Sequence, residues 1–573
     1  VDQDCRQYIT SNEYADFIVE NGSPLSRFLA IENTCQTPLT NNHTAVFVPI
    51  ANVPDNMIQS YGYGVFPSCF GLMDTGSLES SGVTRVRNIP AFNLRGNGII
   101  IGIIDTGIDY THEAFRNADG TSRIVSIWDQ TIQTGPPPTG FLYGSEYTRE
   151  QINQALTSPD PLSVVPSTDE IGHGTFLAGI AAGNTSEIHN FSGVVPDAAI
   201  VVVKLKQAKP FIRDFFRIPA NAICYSETDI IFGVNYLMAV ARNLSLPVSI
   251  CIGFGTSQGA HDERGVLSSY LSLLADYNGV SITIAGGNEG NTGHHFQGNI
   301  QSSTDFITVD LHVGTNVAGF SMELWGEAPS TFSIDILSPT GEYIPRIPAR
   351  IGETRVIRFI FEKTVIYIDY QLVESQTGDQ LILMRFTSPT EGIWRFRVYS
   401  SSDLQSNFHI WLPISQFLDQ NTAFVEPTPY TTLTSPGNTI IPIIVTAYNY
   451  TNNALYLNAS RGFTRTNAIN PDLAAPGVNL TGPAPGNQYT TMSGTSVAAA
   501  HTAGVAAMVL QWGITEGYYT QLDSVEIKNL MLRGARRDPN LTYPNRDWGY
   551  GILDIYNSFN SLRGETVPGS YQQ

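Results

Sequence analysis

From residue 98 onward the chain carries short runs of apolar, mostly β-branched residues: GIIIGIID (98–105), AIVVVKL (199–205), VSICIG (248–253), VSITIAGG (280–287) and IIPIIVTAY (440–448). Runs without in-out alternation mark strands buried on both faces, as in parallel sheets. Several are separated by stretches with apolar residues three or four positions apart, the spacing of a helix that covers a sheet. The clearest is ETDIIFGVNYLMAVARNL at 227–244. This rhythm predicts an α/β fold, a mostly parallel sheet with helices on both faces.

Between 301 and 431 the pattern changes to strict alternation broken by turn residues, as in DFITVDLHV (305–313), TVIYIDYQLV (364–373) and GIWRFRVYS (392–400). It predicts an antiparallel β-sandwich of jelly-roll type, inserted between an α/β first part (79–300) and second part (432–565). Residues 1–78 read as a separate small α+β unit, with a helical pattern around PLSRFLAIENT (24–34). The segment GLMDTGSLESSGVTR (71–85) reads as an exposed linker, and 566–573 as a C-terminal tail.

Composition narrows the partners. The 573 residues, 42% of them hydrophobic, suffice for two or three domains with a sizeable core. A formal net charge of -20 argues against nucleic-acid phosphates or anionic lipid as the main partner. No stretch resembles the run of about 20 apolar residues of a membrane span, and the polar start lacks the basic-then-apolar pattern of a secretory leader. The five cysteines, Cys5, Cys35, Cys69, Cys224 and Cys251, are scattered and odd in number, and read as reduced, buried thiols.

Candidate chemistry gathers at the ends of the apolar runs. Ser496, in TMSGTSVAAAH (491–501), precedes an alanine-rich helix, where a hydroxyl serves either as a cap or as a nucleophile. Asp105 ends one run, His173 lies between two glycines, and Asn288 follows another run inside a glycine-rich turn. Taken singly, they read as a turn cap, a structural histidine and a turn residue. Together they supply acyl transfer: His173 as the base for Ser496, Asp105 to orient the imidazole, and Asn288 with the Ser496 N–H to bind the oxyanion.

The segments DTGID (105–109), GHGTFLAG (172–179), GGNEG (286–290), PDLAAPGV (471–478) and SGTSVAAAHTAG (493–504) resemble the subtilisin-like serine proteases, or subtilases. The order Asp, His, Ser is the one known for subtilisin. The resemblance implies a serine endopeptidase acting on protein or peptide substrates, with Cys251, Ile252 and Gly253 at the substrate pocket. It also implies that residues 1–78 form a prodomain that templates folding and inhibits the enzyme. Self-cleavage is then expected within 73–80, centred on Gly76 and Ser77. A narrower resemblance, through GLMDTGSLESSG and DTGIDYTHEAFRNADGTSRI, is to clostridial germination-specific Csp-type proteases, which carry such an insert and process a spore-cortex hydrolase zymogen. A silent, regulatory subtilase or a general anaerobe protease is the alternative. Spore, cytoplasm and exterior all remain open as locations.

The chain departs from the family at two positions. Ala500 stands where subtilases usually have proline, and Ala114 where many have a calcium-binding aspartate; no cofactor is required, and calcium stays open but without support at the Ala114 position. The adjacent His294 and His295 point to opposite faces of extended chain and read as no metal pair. The insert reads as a clamp on the protease fold rather than a sugar-binding module.

Overall fold

The apolar runs fold as strands of one sheet in the computed structural model, which describes residues 13–20, 34–38, 43–52, 76–89, 93–301, 306–350, 354–374 and 376–562. The chain divides into two compact units, Val1–Leu72 and Met73–Gln573. The first holds β1 (Tyr14–Glu20), β2 (Cys35–Pro38) and β3 (His43–Pro49), antiparallel in the order β1-β3-β2. The helix expected at 24–34 lies outside the described residues. Cys35 does not fit the reading of five reduced thiols, because it is disulfide-bonded, to a partner outside the described residues. A unit this short buries little apolar surface, and a cross-link stabilises it by constraining the unfolded chain. Cys224 and Cys251, in the larger unit, are buried free thiols.

In the larger unit β4 (Ile100–Asp105), β5 (Ile124–Asp129), β6 (Ser145–Thr148), β7 (Ala199–Lys204), β8 (Val248–Ile252) and β9 (Val280–Ala285) come first. The inserted strands follow: β10 (His295–Ile300), β11 (Phe306–Val313), β12 (Gly319–Gly326), β13 (Phe332–Leu337), β14 (Tyr343–Ile347), β15 (Thr354–Arg358), β16 (Val365–Gln371), β17 (Gln380–Thr387), β18 (Gly392–Ser400), β19 (Ser406–Trp411) and β20 (Ala423–Phe424). The chain then returns through β21 (Ile443–Asn449), β22 (Ala454–Leu455) and β23 (Leu473–Pro476).

The main sheet runs β22-β21-β9-β8-β4-β7-β5-β6, with β23 also on β21. Pairings are parallel from β5 to β21, and β6 and β22 close the edges antiparallel. Its central strands are buried throughout, which explains their unbroken apolar runs. One face is covered by the helices Glu227–Leu244 and Val266–Ala275, and the other by His173–Ala182 and Thr495–Leu510. Thr495–Thr515 is apolar and long enough to cross a membrane, but it is buried among these strands as a core helix.

The insert is two antiparallel sheets, β10-β19-β12-β17-β16-β15 and β14-β13-β18-β11-β20. They enclose an apolar core that includes Phe320, Phe386, Trp394 and Phe396. Alternation is plainest in β18, where Trp394, Phe396 and Val398 are buried and the residues between them are not.

Among the described residues, 76–85, the expected linker is not a loose, exposed segment. Gly76–Ser80 and Val83–Arg87 are short helices, and Leu78, Val83 and Val86 join the main core. Each helix is only five residues long, a signal too short to stand out as a period.

Candidate active site

Asp105 ends β4 at the carboxyl edge of the sheet, where open α/β folds gather their chemistry. His173 opens its helix on the next segment, and Gly174 lets that helix sit tightly on the Asp105 turn. A Cβ on Gly174 would lie 3.1 Å from the Gly107 amide and 3.2 Å from the Asp105 Cβ. His173 Nδ1 lies 2.8 and 3.0 Å from the two Asp105 oxygens, and its Nε2 lies 3.1 Å from Ser496 Oγ. Asp105 is 3% exposed and Ser496 8%, whereas the His173 side chain between them is 30% exposed and opens onto the cleft.

A second carboxylate, missed in the sequence, holds this geometry. Asp169, also buried, accepts from the backbone N–H of Gly172 and Thr175 and from the hydroxyls of Thr106 and Thr175, at 2.7–2.9 Å. It thus caps the His173 helix and ties it to the Asp105 turn, while Thr106 N–H donates to Asp105 at 2.8 Å. No cap signal in the sequence marks it, because a cap residue stands directly before the helix, at Gly172, and Asp169 lies three positions farther back. Burial lowers the His173 pKa, but the charge and hydrogen bond of Asp105, helped by Asp169, outweigh it and leave the pKa raised.

Ser496 is not the helix cap. Gly494 takes that position without a side-chain bond, and Thr495 is the first helical residue. This frees the Ser496 hydroxyl and places its N–H among the first amides of the helix, which have no carbonyl partner within it. The Asn288 carbonyl oxygen accepts from Thr495 N–H and Oγ1, both at 3.1 Å, so its Nδ2 is left to donate. A Cβ on Gly494 would lie 3.3 Å from Ser496 Oγ and 3.5 Å from Asn288 Nδ2, which puts both atoms beside the same point.

The expected pocket residues are not all there. Cys251 and Ile252 are 1% and 0% exposed. Cys251 is paired on both sides, with Ile103 and Thr283, so neither a side chain nor a free strand edge faces substrate. A run apolar on both faces gives no sign of where a strand leaves the sheet. The wall begins at Gly253, whose added Cβ would lie 3.3 Å from the Ser496 Cβ. The Cys251 thiol pKa is pushed up by burial and by the Asp105 charge, which leaves an inert group.

From Asp105, His173 and Ser496 a cleft of about 1360 Å³ runs between Gly253 and Asn288 to Trp325 and Leu381 of the insert. Gly76 and Ser77 are helical, and Ser77 is buried near His501. The bond between them is therefore not extended, as a strand laid across a cleft would be. Ala114 is buried, and its carbonyl, with those of Ala182 and Ala198, accepts from the Arg123 guanidinium at 2.5–2.9 Å. His294 pairs with Glu289 at 3.0 Å and His295 with His409 at 2.9 Å, so the two neighbours serve different partners.

The model of the Subtilase family (Peptidase_S8) matches residues 96–309 and 421–551, the two parts that flank the insert. Among solved structures, the Clostridium perfringens CspB protease is 30% identical, with a TM-score of 0.76 over 85% of this chain and 99% of that one. The C5a peptidase of Streptococcus pyogenes is 23% identical over 501 residues, 80% of this chain and 40% of that protein. A subtilisin-like protease of Arabidopsis thaliana is 35% identical over 130 residues, 20% of this chain and 15% of the plant protein. The chain thus spans about two fifths of the streptococcal relative's length. With its core segments matched in order across more than half its length, the chain belongs to the subtilase family.

Proposed function

We propose that the chain is a serine endopeptidase in which Asp105, His173 and Ser496 are the catalytic triad. His173 Nε2 takes the Ser496 proton as Oγ attacks the peptide carbonyl, then gives it to the leaving amine; water releases the acyl-enzyme by the same route. Asp105 holds the imidazole with Nδ1 protonated and stabilises the imidazolium. Asn288 Nδ2 and the Ser496 N–H stabilise the oxyanion, a contribution of about 10²–10³ in kcat for one such donor. These side chains carry every proton and charge in the reaction, so activity is expected to survive chelators.

The observation that carries this reading is the unbroken relay of 2.8 and 3.1 Å ending beside a donor whose other end is already tied. A fluorophosphonate probe should label the folded protein, and Ser496→Ala should abolish both labelling and peptide hydrolysis. A folded, open protein that takes no label would instead favour a binding role.

Residues 1–78 are proposed to act as an inhibitory prodomain removed by self-cleavage, which intact mass of wild type against Ser496→Ala would reveal. The Csp-type resemblance of the sequence suggests as substrate a spore-cortex hydrolase zymogen, and similarity to the Clostridium perfringens CspB protease is in keeping with that group. Incubation with such a zymogen should give one defined product; its survival uncut would remove the germination reading.

A further inference from the structure

Asn288 is exposed toward the cleft, whereas the next residue, Glu289, is 7% exposed, so the two side chains leave their turn in different directions. The turn is rich in glycine, at 286, 287 and 290, and Gly287 takes a φ of +107°. Its backbone is tied to the protease part of the chain. Gly287 N–H donates to Thr495 Oγ1 at 3.1 Å, Glu289 N–H to Ser460 Oγ at 2.9 Å and Gly290 N–H to the Asn458 carbonyl at 2.9 Å.

The Glu289 side chain is tied to the insert instead. Its carboxylate accepts from His294 Nδ1 at 3.0 Å, from the Ser415 N–H at 3.0 Å and from the Ser415 hydroxyl at 2.9 and 3.1 Å. These partners stand where the chain enters and leaves the sandwich. His294 directly precedes β10, Ser415 follows β19, and the two strands pair from His295 and Trp411 onward. Leu412 N–H extends that pairing to the His294 carbonyl at 2.9 Å. Ser415 is itself a fixed post, because its neighbours Ile414 and Phe417 are buried with Ala208 and Cys224 in a small apolar cluster. Burial raises the Glu289 pKa, but the hydrogen bond and charge of His294, helped by Ser415, outweigh it and leave the pKa lowered. The carboxylate is therefore ionised, and its ties are charge-assisted.

An oxyanion donor reaches its full effect only when it is held in place before charge develops. Thr495 fixes the oxygen end of the Asn288 amide, but the course of the turn sets where the side chain starts, and glycines on both sides leave that course soft. We propose that Glu289 is a positioning residue for the oxyanion site, fastening the Asn288 turn to both ends of the insert so that the sandwich helps set the rate of the chemical step. The inference rests on the proposed peptidase function. Glu289 touches no reacting atom and acts through Asn288.

The test is steady-state hydrolysis of a chromogenic peptide, with a melting curve for each variant. Glu289→Ala should lower kcat at least about 10-fold and leave KM within about 2-fold, since a displaced donor is felt where charge develops and not in the bound substrate. Glu289→Gln, which keeps an acceptor oxygen, should fall between Glu289→Ala and wild type. From the insert side, His294→Ala and Ser415→Ala should lower kcat in the same sense by at least about 3-fold, again at steady KM. In the Asn288→Ala background, where the donor is already gone, each of these substitutions should cost less than about 2-fold. If Glu289→Ala fails to fold, Glu289→Gln and Ser415→Ala give the same comparison in both backgrounds.

A structural role alone would move the melting temperature and leave kcat of the folded protein where it was. An unchanged kcat in the folded variants, or the same fold-loss with and without Asn288, would overturn the inference and leave the peptidase function standing. A wild type that neither hydrolyses peptide nor takes a fluorophosphonate label would remove the function, and the inference with it.

Discussion

His173 must be neutral to accept the Ser496 proton, and the pKa shift has a definite sign. Because Asp105 and Asp169 raise the imidazole pKa despite burial, the acid limb of kcat/KM against pH should lie above the ordinary histidine value of 6.5. Asp105→Asn should lower kcat by about 10⁴ by favouring the wrong tautomer. Asp169 touches no reacting atom and acts as a positioning residue. Asp169→Ala leaves the first amides of the His173 helix unpaired, and should cost about 2 kcal/mol in denaturant unfolding and move the acid limb downward. Asp169→Asn, which keeps an acceptor oxygen, should recover much of the stability and little of the pH shift. A purely structural role would leave the pH profile where it was.

At the scale of elements, the close seat of helix His173–Ala182 on the Asp105 turn makes Gly174 the sensitive point. Gly174→Ala should force the helix away from the turn, lengthen the His173–Asp105 contact and lower kcat at least about 10-fold, with KM for a short peptide less affected. Steady-state kinetics beside a melting curve would check it. Elements of this kind were legible in very different degrees. The central strands could be read because burial on both faces leaves nothing but apolar residues in β4, β8 and β9. The residues of the proposed triad and Asn288 stand out in the sequence because each ends or follows a strand or opens a helix beside glycines. Asp169 could not, since its role depends on a partner across the fold, the Thr106 turn. The helices around Leu78 and Val83 were hidden by their length, and the disulfide at Cys35 by an odd count that carries no pairing information.

Across the whole larger unit, the insert and the protease sheet meet in buried, ionisable groups. His261, His295 and His409 stack with Trp411, the His261 and His409 rings lying 4.0 and 5.1 Å from the indole. Burial, with the charges of neighbouring histidines and Arg465 adding for some, lowers His261 to about 4 and His295 to about 3, and pushes His409 well down too. The unfolded chain therefore binds these protons first. Stability is fully present above pH 6.5 or so and is lost as pH falls toward 4, by about 2 kcal/mol each for His261 and His295 at pH 5. Melting temperature measured from pH 7 to pH 5 should fall accordingly, and His409→Gln should flatten the decline. Beside this stack, Arg465 joins Asp262 of the cleft loop at 3.1 Å to Asp379 of the insert at 2.6 Å, and Glu323 of the insert accepts from the Gly259 N–H at 3.0 Å. Asp379→Ala should cost about 3 kcal/mol, read by urea unfolding, because the guanidinium loses a partner while staying buried.

The Arg465 junction also bears on the history of the chain. An insert held only by its two ends could be lost or exchanged by recombination at those ends. Here excision would remove both Asp379 and the Trp325 ring from Arg465, and the surface left behind would carry a cation placed for partners that are gone. Recombination at the two ends of the insert is therefore expected to yield a weaker sheet, which favours inheriting the sandwich and the sheet together.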